Sequence, residues 1–399
     1  MGDLKKRASI LCFAHLPPPV HGVTLMGQIV VTSQALHTSF QVDILPLHCS
    51  QSIEDIGRFR LGKFIKIFRL AWDLFQRCLT IRPDLVYFTL APTGSAFYRD
   101  LLFVAILKIT GSSHVYHLHG KGIARQASGS FLKKQLYRWA FGKAQVIHLS
   151  PKLYSDISQF VPKNKCHFLA NGIPDSADGF KSAQVRKSAD KTLCILYFSN
   201  MMITKGPLVL LEALVNLKRR GESFHALFAG GWASDGCAEQ FSSIVRENEL
   251  QDFVEYLGPK YGSDKSDLYR KADIFVFPTY NDAFPLVLLE AMSYGLPVIS
   301  TFEGAIPDIV QDNVTGFLIP PKDPESLTSS LSVLLNNHDL RFQFGQAGRK
   351  RFIECFTQDT FEINLVSTIE KCLNGKGNRE MPYGELHKAH ARHHHHGGE

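Results

Sequence analysis

No apolar run in the 399 residues approaches the roughly 20 that a membrane-spanning helix needs, so no such helix is expected. The eight cysteines, Cys12, Cys49, Cys78, Cys166, Cys194, Cys237, Cys355 and Cys372, form no Cys-x-x-Cys pair. Several sit in apolar runs, where a reduced thiol acts as a small hydrophobe. That pattern fits a reducing, cytosolic compartment. No Gly-x-Gly-x-x-Gly follows an apolar run, which argues against the dinucleotide site of a dehydrogenase. No Asp-x-Asp pair stands at a predicted strand end, so neither a metal nor another cofactor is expected. Short repeats and low-complexity stretches are absent before the tail. With 45% hydrophobic and 20% charged residues, the composition excludes a mainly disordered chain, a collagen-like repeat and a disulfide scaffold.

The length allows two domains of ordinary size. Lys5-Lys6-Arg7 before an apolar stretch superficially resembles a secretory leader. That stretch is short, however, runs into His15 and three prolines, and has no small-x-small cleavage site, so it reads as a first strand. Lys6 stands where a myristoylation motif wants Ser or Thr. The net charge of +7 hides an asymmetry. Residues 1–165 carry 21 Lys and Arg against 8 Asp and Glu, a net +13, and the remainder carries 23 against 29, a net −6. Two bodies with different partners are implied, the front one suited to an anionic membrane, nucleic acid or phosphorylated substrate.

Short β-rich apolar runs alternate with helical patterns. Strands are expected at 9–14, 41–45, 85–88, 114–118, 145–149 and 166–169, with helices at 23–37, 96–109, 132–141 and 152–160 among them. Continuous apolar strands alternating with helices argue for a parallel sheet buried on both faces. Right-handed crossovers then give a doubly wound fold. The polar stretch 174–191 reads as a linker. The alternation restarts with strands at 193–198, 225–229, 254–256, 274–277 and 297–300 and helices at 207–219, 237–247, 264–270 and 286–294. Helices at 325–336, 340–355 and 360–373 follow. The chain thus divides into a first domain over 1–173, a linker, a second domain over 192–357, a helix over 358–373 and a His-rich tail over 374–399. The tail, with His387, His390 and His393 to His396, reads as a tag scar or disordered terminus before a metal site.

The most informative segment is 272–300. A buried strand ends at Pro278, a loop carries Asp282, Ala283, Phe284 and Pro285, and a helix starts near Leu286 with Glu290 in its second turn. Ligands of open parallel sheets bind at the carboxyl ends of strands. A helix start there offers unpaired N–H groups and a positive dipole end to a phosphate. Glu290 could accept hydrogen bonds from a sugar diol. At the start of the second unit, Asn200 precedes Thr204-Lys205-Gly206, and a Lys in a strand-to-helix loop is a point charge suited to a diphosphate.

The run from Asp282 through Glu290-Ala291-Met292 to Gly295, Pro297, Val298 and Ile299 resembles the acidic-x7-Glu signature of retaining glycosyltransferases of family 4, which have the GT-B fold. The resemblance covers roughly 8–373. It implies two Rossmann-like domains facing across a cleft, with a C-terminal helix crossing back to the first. It also implies a nucleotide-sugar donor, with Glu290 on the ribose, Asp282 against the donor sugar and the amides of Leu286 and Val287 on the diphosphate. Lys205 would stabilise the leaving β-phosphate, and Asn200 and Phe284 would join the donor site. Asp282 is one methylene shorter than the family's usual Glu, and Asn200 supplies no second charge.

The first domain would supply the acceptor side. His21-Gly22 stands where the family often has two glycines, so Gly22 is the backbone-approach residue toward the donor. His119, before Gly120, resembles the family's site histidine facing the donor sugar, and His117 is either a second such group or packed. Catalytic roles therefore fall to Asp282, His119 and Lys205. Donors aimed at the charge left on the diphosphate would be the main catalytic term, and the departing phosphate would take the acceptor's proton. A double displacement with Asp282 as nucleophile ranks below this.

Basic residues interleave with Phe and Trp over 57–80 and again over 131–143. Such helices lie on anionic bilayers, which suggests a peripheral protein on the inner face of the cytoplasmic membrane. No nucleic-acid module is recognisable. The resulting expectation is transfer from a UDP-sugar to a glycan or lipid-linked acceptor in surface polysaccharide, lipopolysaccharide or glycolipid assembly. The alternatives are a sugar-nucleotide epimerase or inverting transferase of the same fold, and a non-catalytic nucleotide-sugar-binding partner.

Overall fold

A computed structural model describes residues 7–47, 61–176, 192–233 and 235–375, of which 61–64 and 235 are described as backbone only. Residues 177–191 of the expected 174–191 linker, the tail beyond 375, the segment start at 57–60 and Cys49 lie outside the described residues. The chain forms two compact units, 1–172 with 358–399 and 173–357.

The first unit runs β1 (Ser9–His15), α1 (Gly22–Thr32), α2 (Gln34–Ser39), β2 (Gln41–Leu47), α3 (Leu61–Thr80), β3 (Leu85–Thr89) and α4 (Gly94–Ile109). It continues with β4 (His114–Leu118), α5 (Ile123–Ser128), α6 (Phe131–Phe141), β5 (Gln145–His148) and β6 (Cys166–Phe168). The strands pair in parallel in the order β2-β1-β3-β4-β5-β6. Helices cover both faces, which is why β3 is buried along its whole length. Phe13, Phe88 and Phe103 form an aromatic centre, with Phe13 stacked on Phe88 and edge-on to Phe103, each at 4.9 Å.

The second unit runs β7 (Leu193–Phe198), α7 (Pro207–Arg219), β8 (Phe224–Ala229), α8 (Asp235–Glu247), β9 (Val254–Tyr256), α9 (Gly262–Lys271) and β10 (Ile274–Val276). Then come α10 (Leu286–Ser293), β11 (Val298–Thr301), α11 (Ile306–Ile309), β12 (Gly316–Ile319), α12 (Pro324–Asn336) and α13 (His338–Cys355). Its sheet is again parallel, in the order β12-β11-β10-β7-β8-β9. The last helix, α14 (Gln358–Leu373), belongs to the first unit. There Glu362 accepts from the Ser33 hydroxyl at 2.6 Å, and the Cys372 carbonyl accepts from the Gln145 amide at 2.8 Å.

Several elements differ from the sequence expectation, among them the short helices α5 and α11, which it did not contain. The helix read over 23–37 is two helices, because Ser33 leaves helical geometry and its hydroxyl caps α2 through the Leu36 amide. The helix read over 152–160 is a 3-10 turn, Pro151–Asp156. Strand β12 had no counterpart in the reading, since four residues opened by a glycine give little period to detect.

Candidate active site

In each sheet the winding reverses direction at one place, between β7 and β10 in the second unit and between β1 and β3 in the first. Open parallel sheets hold ligands at the carboxyl ends of strands beside such a point. In the second unit, the loop after β7 ends in the 3-10 turn Ile203–Lys205. Gly206 follows at φ +82°, so close to Pro278 that a Cβ would stand 2.1 Å from the Pro278 carbonyl oxygen. Only glycine permits that approach. The Thr204 carbonyl accepts from the Tyr280 amide at 3.0 Å and the Thr279 hydroxyl at 3.1 Å. Lys205 is thereby laid along the loop after β10, with Nζ 2.5 Å from Asp282 Oδ2. Asp282 Oδ1 accepts the Phe284 amide at 3.2 Å, and Glu303 Oε1 accepts the Asp282 amide at 3.2 Å.

The same loop runs into α10. Its cap is Pro285, which offers no side-chain acceptor. Among the described residues no group accepts from the amides of Leu286 or Val287. An open helix start carries a partial positive charge and attracts anions. Glu290 is held by two groups of α9. Lys265 Nζ lies 2.5 Å from Oε1, and the Tyr269 hydroxyl donates to Oε2 at 2.7 Å. Each carboxylate oxygen can accept about two hydrogen bonds, so both retain capacity for a vicinal diol. Lys265 also lies 5.3 Å over the Phe198 ring.

In the first unit, a cavity of about 260 Å³ lies at the switch point, bordered by His15 at the end of β1, Thr89 to Pro92 from the end of β3 onward, and His119 with Gly120 after β4. Ala96 and Arg99 of α4 and Val23 of α1 close its sides. Gly27 of α1 is packed so tightly on β1 that a Cβ there would meet the His15 carbonyl oxygen at 2.0 Å. His117 is fully buried, with Nδ1 2.5 Å from the Tyr87 hydroxyl. Its ring lies 4.0 Å from that of His119. Both ring nitrogens of His119 are buried and without a hydrogen-bond partner. Burial, with His148 and His21 nearby, brings His119 down to about 3, so the ring is neutral at ordinary pH.

The described part of the chain has no helix long and apolar enough to cross a membrane. Residues 180–351 match the family model described as glycosyl transferases group 1. D-inositol 3-phosphate glycosyltransferase from Corynebacterium kroppenstedtii is 31% identical over 156 residues, which is 38% of this chain and 35% of that protein. Its counterpart from Streptomyces avermitilis is 32% identical over 191 residues, 46% of this chain and 41% of that protein. The chain therefore spans well under half the length of these curated relatives. Among solved structures, a glycosyltransferase from Rickettsia africae superposes with a TM-score of 0.71 at 18% identity, over 92% of this chain and 99% of its own. HepE from Anabaena, in complex with UDP and glucose, gives 0.67 at 17% identity, over 90% and 99%. These likenesses place the two sheets in the GT-B architecture.

The match to the glycosyl transferases group 1 model thus falls within the second unit, over 43% of the chain. In this unit Lys205, Asp282, Leu286, Val287 and Glu290 all lie on the loops and helix starts beside the β7–β10 switch point. Asn200 stays exposed, and its carbonyl turns the loop by accepting the Met202 amide at 2.8 Å. Phe284 is buried with its ring against Phe356, and its amide serves Asp282, so its part in the site is structural. In the first unit, Gly22 is the first residue of α1, and His21 caps that helix by accepting the Thr24 amide. His119 borders the cavity, while His117 is a packed residue bonded to Tyr87. Sequence reasoning missed Lys265 and Tyr269. Their i, i+4 spacing puts both on one face of α9, but nothing local ties that face to Glu290, 25 residues from Lys265.

Proposed function

We propose that this protein is a retaining glycosyltransferase that moves a sugar from a nucleotide diphosphate donor, a UDP-sugar, to an acceptor hydroxyl. The observation that carries this reading is the constellation of Lys205, Asp282, the open start of α10 and Glu290 at one switch point. Positive charge and free amides suit a diphosphate, and a doubly held carboxylate suits a ribose diol. The family match over 180–351 supports the same reading.

In the proposed reaction, the bond between the sugar's anomeric carbon and the phosphate oxygen breaks, and the acceptor oxygen bonds to that carbon on the same face. The acceptor's proton passes to the departing phosphate oxygen. Negative charge gathers on the diphosphate, where the Lys205 ammonium and the amides of Leu286 and Val287 would be preorganised to meet it. Asp282 has both oxygens engaged, by Lys205 and by the Phe284 amide, which favours an orienting role over that of a nucleophile. Neutral His119 would serve the first unit's side of the reaction as a hydrogen-bonding group. These positive groups are protein-borne, so transfer is proposed to run without a metal or other cofactor, and undiminished turnover in EDTA is the expected result.

The exposed face of α3 supports a second element of the proposal. Ile65, Phe68 and Trp72 are 61%, 63% and 58% exposed and fall on one helical stripe among Lys66 and Arg69. Phe131, Leu132 and Trp139 of α6 are exposed as well. We infer that the first unit docks by these faces on an anionic membrane, at the inner surface of the cytoplasmic membrane, to reach a lipid-linked acceptor of surface polysaccharide or glycolipid assembly.

Incubation with a panel of UDP- and GDP-sugars tests the core reading. One donor should raise the melting temperature and release its nucleotide when acceptor is present, with the product keeping the donor's anomeric configuration by NMR. Absence of binding across the whole panel would overturn the proposal.

A further inference from the structure

The cavity of the first unit has walls whose polar groups are almost all engaged with one another. His15 Nδ1 is 3.0 Å from the Thr89 hydroxyl, and its Nε2 is 3.2 Å from Arg99. Arg99 is in turn bonded to Asp100 at 2.7 Å. The Thr24 hydroxyl donates to the Pro19 carbonyl at 2.8 Å. What the wall turns inward is chiefly proline and aliphatic surface, from Leu16, Pro18, Pro92 and Ala96 among others. A polyol placed there would leave several hydroxyls unpaired, each losing its bonds to water without replacement. An apolar body would instead gain in proportion to the surface it removes from water. The volume, about 260 Å³, exceeds that of an engineered apolar cavity of roughly 150 Å³ that takes benzene.

Two further observations say that a ligand belongs here. The cavity lies at the carboxyl ends of β1 and β3, the switch point of the first sheet, where the topology itself opens a crevice. His119 also borders it with both ring nitrogens unpaired, so turning toward the cavity breaks no hydrogen bond. From this geometry we infer that the acceptor is an apolar alcohol, an aryl or alkyl body bearing one reactive hydroxyl, with its body in this cavity and its hydroxyl at His119. This rests on the transferase reading, and it sets an apolar alcohol in place of the sugar hydroxyl of a lipid-linked glycan as the acceptor. It also separates this chain from a cyclitol phosphate acceptor, the kind named for its curated relatives.

The test uses the full chain, with 2-naphthol as the apolar alcohol, 2-methylnaphthalene as its hydroxyl-free analogue and D-myo-inositol 3-phosphate as the polar rival, all by calorimetry. 2-Naphthol should bind saturably, one per chain and at least tenfold more tightly than either comparison. Ala96→Phe and Val23→Phe, which fill the cavity from two different helices, should each weaken 2-naphthol at least tenfold. A far-ultraviolet spectrum like that of the wild type will verify that each variant is folded. His119→Leu should reduce 2-naphthol to the affinity of 2-methylnaphthalene. Preferential binding of the inositol phosphate, or 2-naphthol affinity unmoved by both filling variants, would overturn the assignment. So would a hydroxyl preference that survives His119→Leu. UDP titrated into the same samples keeps the two readings apart. Loss of 2-naphthol binding with UDP binding intact defeats only the acceptor inference, whereas failure of every nucleotide sugar defeats the transferase reading.

Discussion

Lys205 and Lys265 each place an ammonium 2.5 Å from a carboxylate in the same unit, yet the two pairs have different consequences. Lys205 lies beside an open helix start, where its charge can meet an anion that forms during reaction. Lys205→Ala should lower kcat by about 10² to 10³, the range seen when one preorganised transition-state donor is removed. Steady-state nucleotide release with the active donor measures it. Lys265 instead fixes one oxygen of Glu290 while Tyr269 fixes the other. Lys265→Met should therefore raise KM for the donor about tenfold, or roughly 1.4 kcal/mol, with kcat within about twofold. A fall in kcat at unchanged KM would contradict this positioning role. The acidic-x7-Glu spacing was legible because Asp282 and Glu290 share one loop-to-helix junction. Their lysines were harder to assign, because partners 77 and 25 residues away cannot be read from local pattern.

At the scale of elements, the strands were read well because a parallel strand buried on both faces is a continuous apolar run bounded by polar loops. The elements that escaped are short, like β12, or set by a single side-chain contact. The Ser33 cap divides one helical pattern in two. In a similar way Asp156 accepts the amides of Gly122, Ile123 and Ala124 at 2.8 to 3.0 Å, which holds the short helix α5 and the loop after His119. Asp156→Ala leaves those amides without their acceptor and should cost about 1–2 kcal/mol, read from the midpoint of urea unfolding. The exposed stripe of α3 gives a prediction of the opposite kind. Phe68→Glu and Trp72→Glu replace side chains 63% and 58% exposed, so thermal stability should hardly change. Flotation with anionic liposomes should nevertheless be lost. Equal flotation of wild type with neutral and anionic vesicles would refute the membrane reading.

For the whole molecule, the histidines of the first unit set an acid limit. Burial lowers His148 and His167 to about 4 and His119 to about 3, and depresses His117 strongly. The unfolded chain takes up protons below about 6.5 while the folded unit refuses them, so stability falls as pH drops from about 7 toward 4 and levels below the folded values. Asp100, raised to about 6 by burial, acts in the opposite sense, since its folded form gains the proton first. One carboxyl does not offset four imidazoles. Melting temperature measured between pH 7 and 4 should therefore fall steeply, and His148→Gln should flatten the curve.

The sequence by itself determined two α/β bodies, the charge contrast between them, and the strand–loop–helix carrying Asp282 and Glu290. Each of these is a local matter of composition, period or spacing within one element. Tertiary structure alone decided that Lys205 meets Asp282, because β7 and β10 are neighbours in the sheet although far apart in the chain. It alone decided that the walls around His119 face inward as apolar surface, because the polar groups of α1, β1, β3 and α4 satisfy one another across the sheet's switch point. Sheet order depends on how all the strands pack at once, and no window of sequence contains it.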